Sequence, residues 1–372
     1  MKLYLAGGAV RDLLLGRQLS DRDYLVMGAT KEAFMNAHPL AKEVGHAFPV
    51  FLVDGLEFSF PRAEPLDKEL RSRDLTVNAM LLDEEGELVC HPQALEDIHN
   101  RVLRPASDRS LHEDPLRVFR AARFWASLPG FSPHEELIEA MRKVARQRLL
   151  ATISADRVGV EVRKALAATA PGNFLRLLAQ ADCLSPWFED FREAAAIPAG
   201  PAPYHDTNVI EHTARVMDAL AGDPLAAWAG LCHDIGKTAT PPDQWPSHHN
   251  HDVQGAEMAA DLAKRLRLPN TFVDAGTQGA RWHMVAGRYD RLRPGTKVDL
   301  LMKLHLTRTL DTVFALVRAD QDMDHAHRAR RDLAAILKVR LPLELRDMKE
   351  ESGRRLRDLR AQALTKTTKS NG

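Results

Sequence analysis

A glycine turn followed closely by an acidic pair constrains this chain more than anything else in it: Gly7-Gly8-Ala9-Val10-Arg11-Asp12, then Asp21-Arg22-Asp23. Leu3-Tyr4-Leu5 reads as a strand running into the turn, and a short helix continues through Leu13 to Leu15. Adjacent glycines supply φ > 0 without strain and let the backbone approach something bulky. Amides at a helix start suit an anion, phosphate above all. If Asp21 and Asp23 lie on the strand-like run Tyr24-Leu25-Val26-Met27, they point to one face. Two like charges held so close favour divalent cations, and paired Mg²⁺ ions on carboxylates recur in nucleotidyl transfer. An Asp-x-Asp alone describes any solvated turn; behind this glycine turn it specifies much more.

The pairing resembles the signature of the class II tRNA nucleotidyltransferases and bacterial poly(A) polymerases, members of the polymerase β-like superfamily. Similarity to the bacterial CCA-adding enzymes that carry an HD domain extends along most of the chain. The resemblance implies an α+β nucleotidyltransferase head, a small mixed sheet with helices, over residues 1–104. An all-α neck and body over 105–197 and an all-α HD domain over 204–330 follow, then a helical tail with a disordered end over 331–372. At 372 residues there is ample length for several cores. Lys+Arg and Asp+Glu are equal at 51 each, so any nucleic-acid surface must be local. Cys90, Cys183 and Cys232 show no CxxC spacing, which suggests a reducing, cytoplasmic setting. No apolar run approaches membrane-spanning length.

Within the head, Asp54-Gly55 between Phe48–Val53 and Leu56–Phe60 predicts a hairpin with a type I′ turn. Leu81-Leu82 and Glu87–Cys90 suggest a second strand pair, and residues 31–37 a helix. In Arg71-Ser72-Arg73-Asp74-Leu75-Thr76-Val77-Asn78-Ala79, Arg73 offers a guanidinium fork to a triphosphate. Asp74 and Thr76 suit the cap of a helix carrying Val77 and Met80 inward. The stretch resembles the RRDxTxNA motif of the family, with Ser72 in place of the first arginine. CCA-adding relatives also have a long flexible loop between hairpin and RRD, associated with the change from CTP to ATP. Here Pro61 to Leu70 joins the two almost directly, a feature of CC-adding members.

Asp114-Pro115 predicts an N-cap with proline at the first helical position, and Arg117, Arg120 and Arg123 recur on one helix sector. Glu113 to Phe124 resembles the EDxxR nucleobase-recognition motif followed by RxxR. That resemblance implies that Asp114 accepts from the exocyclic amine of cytosine or adenine while Arg117 donates to a ring acceptor. Arg120 and Arg123 then attend to ribose or phosphates, and Gly8, Arg11 and Arg73 hold the nucleotide.

Further on, Ile197-Pro198-Ala199-Gly200-Pro201-Ala202-Pro203 reads as a connector. Beyond it His212, His233-Asp234 and Asp320 fall on three separate helix candidates, and imidazoles with carboxylates across a bundle suit a divalent metal. The order H…HD…D resembles an HD phosphohydrolase. Lys237 follows as a potential phosphate contact, and His248, His249, His251 and His283 are candidate extra ligands, among which spacing does not choose.

The expected function is template-independent addition of CMP, with or without AMP, from CTP and ATP to a tRNA 3′ end. Asp21 and Asp23 would hold Mg²⁺, and the HD centre Ni²⁺, Co²⁺, Mn²⁺ or Mg²⁺ for hydrolysis of RNA-end or cyclic phosphates. A monomer or homodimer without membrane attachment is expected. Two alternatives stand beside this: a poly(A) polymerase, and an RNA-binding or nucleotide-sensing HD phosphohydrolase whose head is inactive.

Overall fold

The structure is a computed structural model describing the chain except residues 20–21, 45–48, 63–64, 203–205, 347–349 and 370–372. The chain divides into two compact units: Met1–Ile153 with Gln180–Cys183, and Ser154–Ala179 with Leu184–Gly372.

The first unit carries a seven-stranded mixed sheet of β1 (Lys2–Ala6), β2 (Asp23–Met27), β3 (Lys42–Val44), β4 (Val50–Val53), β5 (Leu56–Ser59), β6 (Met80–Leu82) and β7 (Leu88–Cys90). Its order is β3-β4-β5-β2-β1-β6-β7, antiparallel throughout except for the parallel pair β2–β5. The hairpin forms as the sequence predicts: Asp54 and Gly55 adopt φ of 50° and 82°, the left-handed pair that a type I′ turn requires. Because side chains alternate across a strand, central β2 is buried on both faces. Leu25 packs with Ala6 and Leu81, and Val26 with Phe34, Phe51 and Phe58.

Helices of this unit are α1 (Gly8–Leu14), α2 (Lys31–Ala37), α3 (Leu66–Arg71), α4 (Ala94–Asn100), α5 (Ser110–Glu113), α6 (Arg117–Ser127) and α7 (Glu135–Arg146). α6 starts two residues later than the proline implies: Leu116 is its cap, while Asp114 Oδ1 accepts from the Leu116 amide at 3.3 Å. The expected helix after Asp74 is also corrected. Only a 3₁₀ turn, Thr76–Asn78, forms before Met80 enters β6. Thr76 does not cap it; its hydroxyl donates to buried Asp97 at 2.7 Å.

The second unit is helical: α8 (Ala155–Leu166), α9 (Gly172–Gln180, its last residue in the first unit), α10 (Val209–Ala219), α11 (Pro224–Cys232), α12 (His251–Arg265), α13 (Asn270–Ala286), α14 (Pro294–Leu306), α15 (Leu310–Gln321), α16 (Ala326–Leu337) and α17 (Glu350–Lys369). α11 is apolar all round, and Ala226 to Cys232 are all buried, so it serves as the bundle's central rod. α17 runs to Lys369, into the end of the tail expected from the sequence to be disordered. The proline-rich stretch after Ile197 is folded in, with Ala199 buried and its amide donating to Thr207 O at 3.0 Å.

Asp74 makes the largest electrostatic demand on the first unit. Burial alone would push its carboxyl up, but the charge of Arg120 and hydrogen bonds from Asn78 and Arg120 hold it well below the usual carboxylate range. Arg120 grips one oxygen through Nε and Nη2 at 2.8 and 2.6 Å, and Asn78 Nδ2 donates to the other at 3.0 Å. Asp74→Ala is expected to cost about 2–3 kcal/mol at pH 7. That is less than for a fully buried pair, because the Arg120 side chain is 37% exposed. Since the folded-state pKa is depressed, this contribution is present above about pH 4 and is lost as pH falls toward the folded value. Denaturant unfolding of wild type and variant should therefore converge below that pH; a constant gap would contradict the assignment.

Candidate nucleotide site and metal centre

In the first unit, strand pairing brings the acidic motif to the glycine turn. Ala6, the last residue of β1, pairs with Asp23, the first of β2, and the Gly7 amide donates to Met80 O at 2.9 Å. Gly7 has φ 66° and ψ −125°, which favours glycine. A Cβ there would come within 3.1 Å of Arg73 Nη1, so the bare Cα leaves room for that guanidinium. Arg73 is buried enough to lower its pKa, the negative charges of Glu69, Asp74 and Asp23 opposing the shift, and its Nε has no hydrogen-bond partner among the described residues. Asp23, Gly7 and Arg73 thus belong to one locality. Asp21 lies outside the described residues.

The other basic candidates differ in surroundings. Arg11 is buried, held by Asp12 at 3.0 Å and by Asn78 Oδ1 at 2.6 Å, so it braces α1 against the turn after Asp74. Gly8, beside it, is where a Cβ would meet Arg11 Nη2 at 3.4 Å. Arg117 is buried too, donating to Ser110 O at 2.8 Å and Arg73 O at 3.4 Å. Asp114 and Arg117 line one cavity of about 740 Å³ with Ser72. Arg120 faces Asp74, and Arg123 lies over the Phe124 ring at 4.1 Å.

In the second unit, α10, α12, α13 and α15 deliver His212, His251, His283 and Asp320 to His233-Asp234, which follow the end of α11. His212 Nε2 is 3.2 Å from Asp234 Oδ2, 3.1 Å from Asp320 Oδ1 and 3.1 Å from His233 Nε2. His251 and His283 Nε2 approach the other oxygen, Oδ1, at 3.5 and 3.7 Å. Ligand atoms fall into two groups sharing Asp234: His212-His233-Asp234 and Asp234-His251-His283. Three rings are oriented from behind, since Nδ1 of His233, His251 and His283 donates to the carbonyls of Gly230, His248 and Ala280 at 2.7, 2.8 and 2.9 Å. That fixes the tautomer leaving each Nε2 as the inward donor atom, the arrangement of metal-binding histidines.

Electrostatics separate the two groups. Burial pushes His283 down to about 4, with the charge of His233 adding to it. Burial also opposes charge on His212, but hydrogen bonds to Asp234 and Asp320 outweigh it and raise its pKa to about 9. A cation bound there would displace that proton. Asp234 and Asp320 stay well below the ordinary carboxylate range.

Of the remaining candidates, His249 is exposed and in neither ligand group. Lys237 is buried, its ammonium 2.6 Å from both Asp234 Oδ2 and Ala199 O. His248, expected as a candidate ligand, is also in neither group: it is buried, and its ring nitrogens are taken by Thr240 Oγ1 and Pro198 O at 2.6 and 2.7 Å, a clamp behind the centre.

The HD domain family model matches residues 205–338. A model described as the probable RNA and SrmB-binding site of polymerase A matches residues 130–194. A multifunctional CCA protein of Legionella pneumophila (strain Lens) is 35% identical over 83% of this chain and 80% of its own length. One from Stenotrophomonas maltophilia (strain R551-3) is 36% identical over 84% and 83%. The crystal structure of the Bacillus stearothermophilus CCA-adding enzyme in complex with CTP matches with TM-score 0.62 and 26% identity, covering 89% of this chain and 77% of that one.

Gly236 controls the second ligand group. A Cβ there would lie 2.0 Å from His251 O, backbone that cannot move without carrying His251 away from Asp234. Gly236→Ala is expected to destabilise the protein by about 2–4 kcal/mol, as overpacking does. It should also weaken Mn²⁺ binding measured by calorimetry. Unchanged stability and binding would show that α12 can shift freely.

Proposed function

The chain belongs to the family of multifunctional CCA proteins, and from that membership we propose how its residues serve two reactions. It is a CCA-adding tRNA nucleotidyltransferase that also carries an HD domain, which is consistent with phosphohydrolase activity. The observation carrying the first reaction is the meeting of Asp23, Gly7 and Arg73 at the end of two paired strands in a chain with this ancestry.

In our reading Asp23, with Asp21, would hold Mg²⁺ beside the glycine turn, and Arg73 faces the triphosphate with an Nε that is unpartnered among the described residues. Asp114 and Arg117 read the base edge. Cytosine and adenine each offer an exocyclic amine to Asp114, whereas uracil presents a carbonyl that leaves the carboxylate without a donor. Sites built on such a hydrogen bond discriminate by roughly 10⁴ or more. Arg11 and Arg120 act from behind: one fastens α1 to Asn78, the other holds Asp74 under the Arg73 backbone.

For the second reaction, Asp234 would be shared by two divalent cations, one held with His212, His233 and Asp320, the other with His251 and His283. The donor set, neutral imidazoles with carboxylates, fits Ni²⁺, Co²⁺ or Mn²⁺ as well as Mg²⁺. Metal held by these residues would supply phosphate charge neutralisation and an activated hydroxyl or water. Lys237 balances Asp234 from the protein side. The substrates proposed are phosphate esters of RNA ends, 2′,3′-cyclic phosphates among them.

The test is extension of a tRNA ending at the discriminator base, with CTP and ATP together, read as product length. Wild type should add three nucleotides. Asp23→Ala should add none while still hydrolysing a 2′,3′-cyclic nucleotide in Ni²⁺ or Mn²⁺. Extension by the variant would remove Asp23 from the reaction, and a two-nucleotide stop in wild type would limit the enzyme to CC addition.

A further inference from the structure

The cavity of about 740 Å³ in the first unit is of small-ligand size. Besides Asp114 and Arg117 it is lined by Ser72, Lys68 and Arg71. Ser72 brings no charge to it, since its hydroxyl turns back onto the helix and donates to Glu69 O at 2.7 Å. Lys68 sits one turn earlier on the same face, because the Ser72 amide donates to Lys68 O at 2.9 Å. The neighbouring Arg71 is engaged, its Nε donating to both oxygens of Asp67 at 3.2 and 2.9 Å. Lys68 is exposed and, among the described residues, has no ion-pair or hydrogen-bond partner.

We propose that Lys68 binds a phosphate group of the incoming nucleoside triphosphate, supplying from one turn earlier the cation that Ser72 does not. The proposal rests on the nucleotidyl-transfer reading of this unit. A free ammonium on a flexible four-carbon stem can follow a phosphate oxygen without breaking an existing pair. The cavity favours nucleotide over RNA backbone: it takes one small ligand, and the proposed base readers Asp114 and Arg117 share its lining with Lys68. Arg117 Nη1 also donates to Arg73 O at 3.4 Å, which joins the start of α6 to the turn after α3, so base and phosphates can be held by one continuous wall.

The experiment is steady-state extension of tRNA ending at the discriminator base, varying CTP at saturating tRNA and then tRNA at saturating CTP. Lys68→Ala should raise KM for CTP about tenfold, with kcat within about twofold and KM for tRNA unchanged, as expected for one lost charge-assisted hydrogen bond. Lys68→Arg should stay near wild type. Adding Ser72→Arg to Lys68→Ala should recover KM for CTP to within about threefold of wild type. An unchanged KM for CTP, or a rise confined to tRNA, would overturn the assignment. A double variant no better than Lys68→Ala would overturn the exchange between the two positions. Extension by wild type tests the parent reading separately; its absence would remove both.

Discussion

A carboxylate taken out of water must face positive charge or lose its own, and Asp234 is the sharpest instance of that constraint in the chain. It is 2% exposed, and removing such an ion from solvent costs several kcal/mol even after relaxation. Its surroundings follow from this. Lys237 supplies a fixed cation at 2.6 Å, His212 and His233 approach one oxygen, and His251 and His283 the other. Five helices must arrive in register for that to happen, and glycine at 236 lets two elements meet closely enough to admit His251. The same rule acts in the first unit, where buried Asp74 recruits Arg120 and Asn78 and so ties α6 to the turn after α3.

Each unit therefore builds its candidate site around a buried acid, but to different ends. Around Asp74 the cations are arginines, which keep their charge at any working pH and hold backbone in place. Around Asp234 one lysine is joined by imidazoles, whose ring nitrogens can take a metal in place of a proton. The first arrangement fixes the start of α6, where Asp114 and Arg117 line a cavity; the second gathers atoms able to ligate a metal. A polymerising reaction and a hydrolytic one fit these two environments respectively.

Much of this was legible in residue order. The Asp54-Gly55 hairpin, the helix over 31–37 and the helices bearing His212, His233 and Asp320 follow from turn chemistry and apolar periodicity, which act locally. Other features depend on contacts distant in sequence. Asp74 looks like a helix cap until Arg120, 46 positions away, is found against it. His251 and His283 could not be separated from His248 and His249 by spacing, because only the packing of α12 on α13 turns two rings inward, while His249 stays exposed and His248 turns to Thr240 and Pro198. The stretch after Ile197 carries a linker's composition, yet His248 and Lys237 bind its carbonyls. Lys68 matters only because a helical turn sets it beside Ser72 on a cavity wall that no local pattern announces.

The claim most exposed to measurement is that one carboxylate serves two ions. Crystals of the full chain grown with Mn²⁺, with diffraction collected at the manganese edge, would locate the metal directly. The account predicts two anomalous peaks flanking the Asp234 carboxylate, one toward His212 and Asp320 and one toward His251 and His283. A single peak, or peaks bound by other residues, would contradict it.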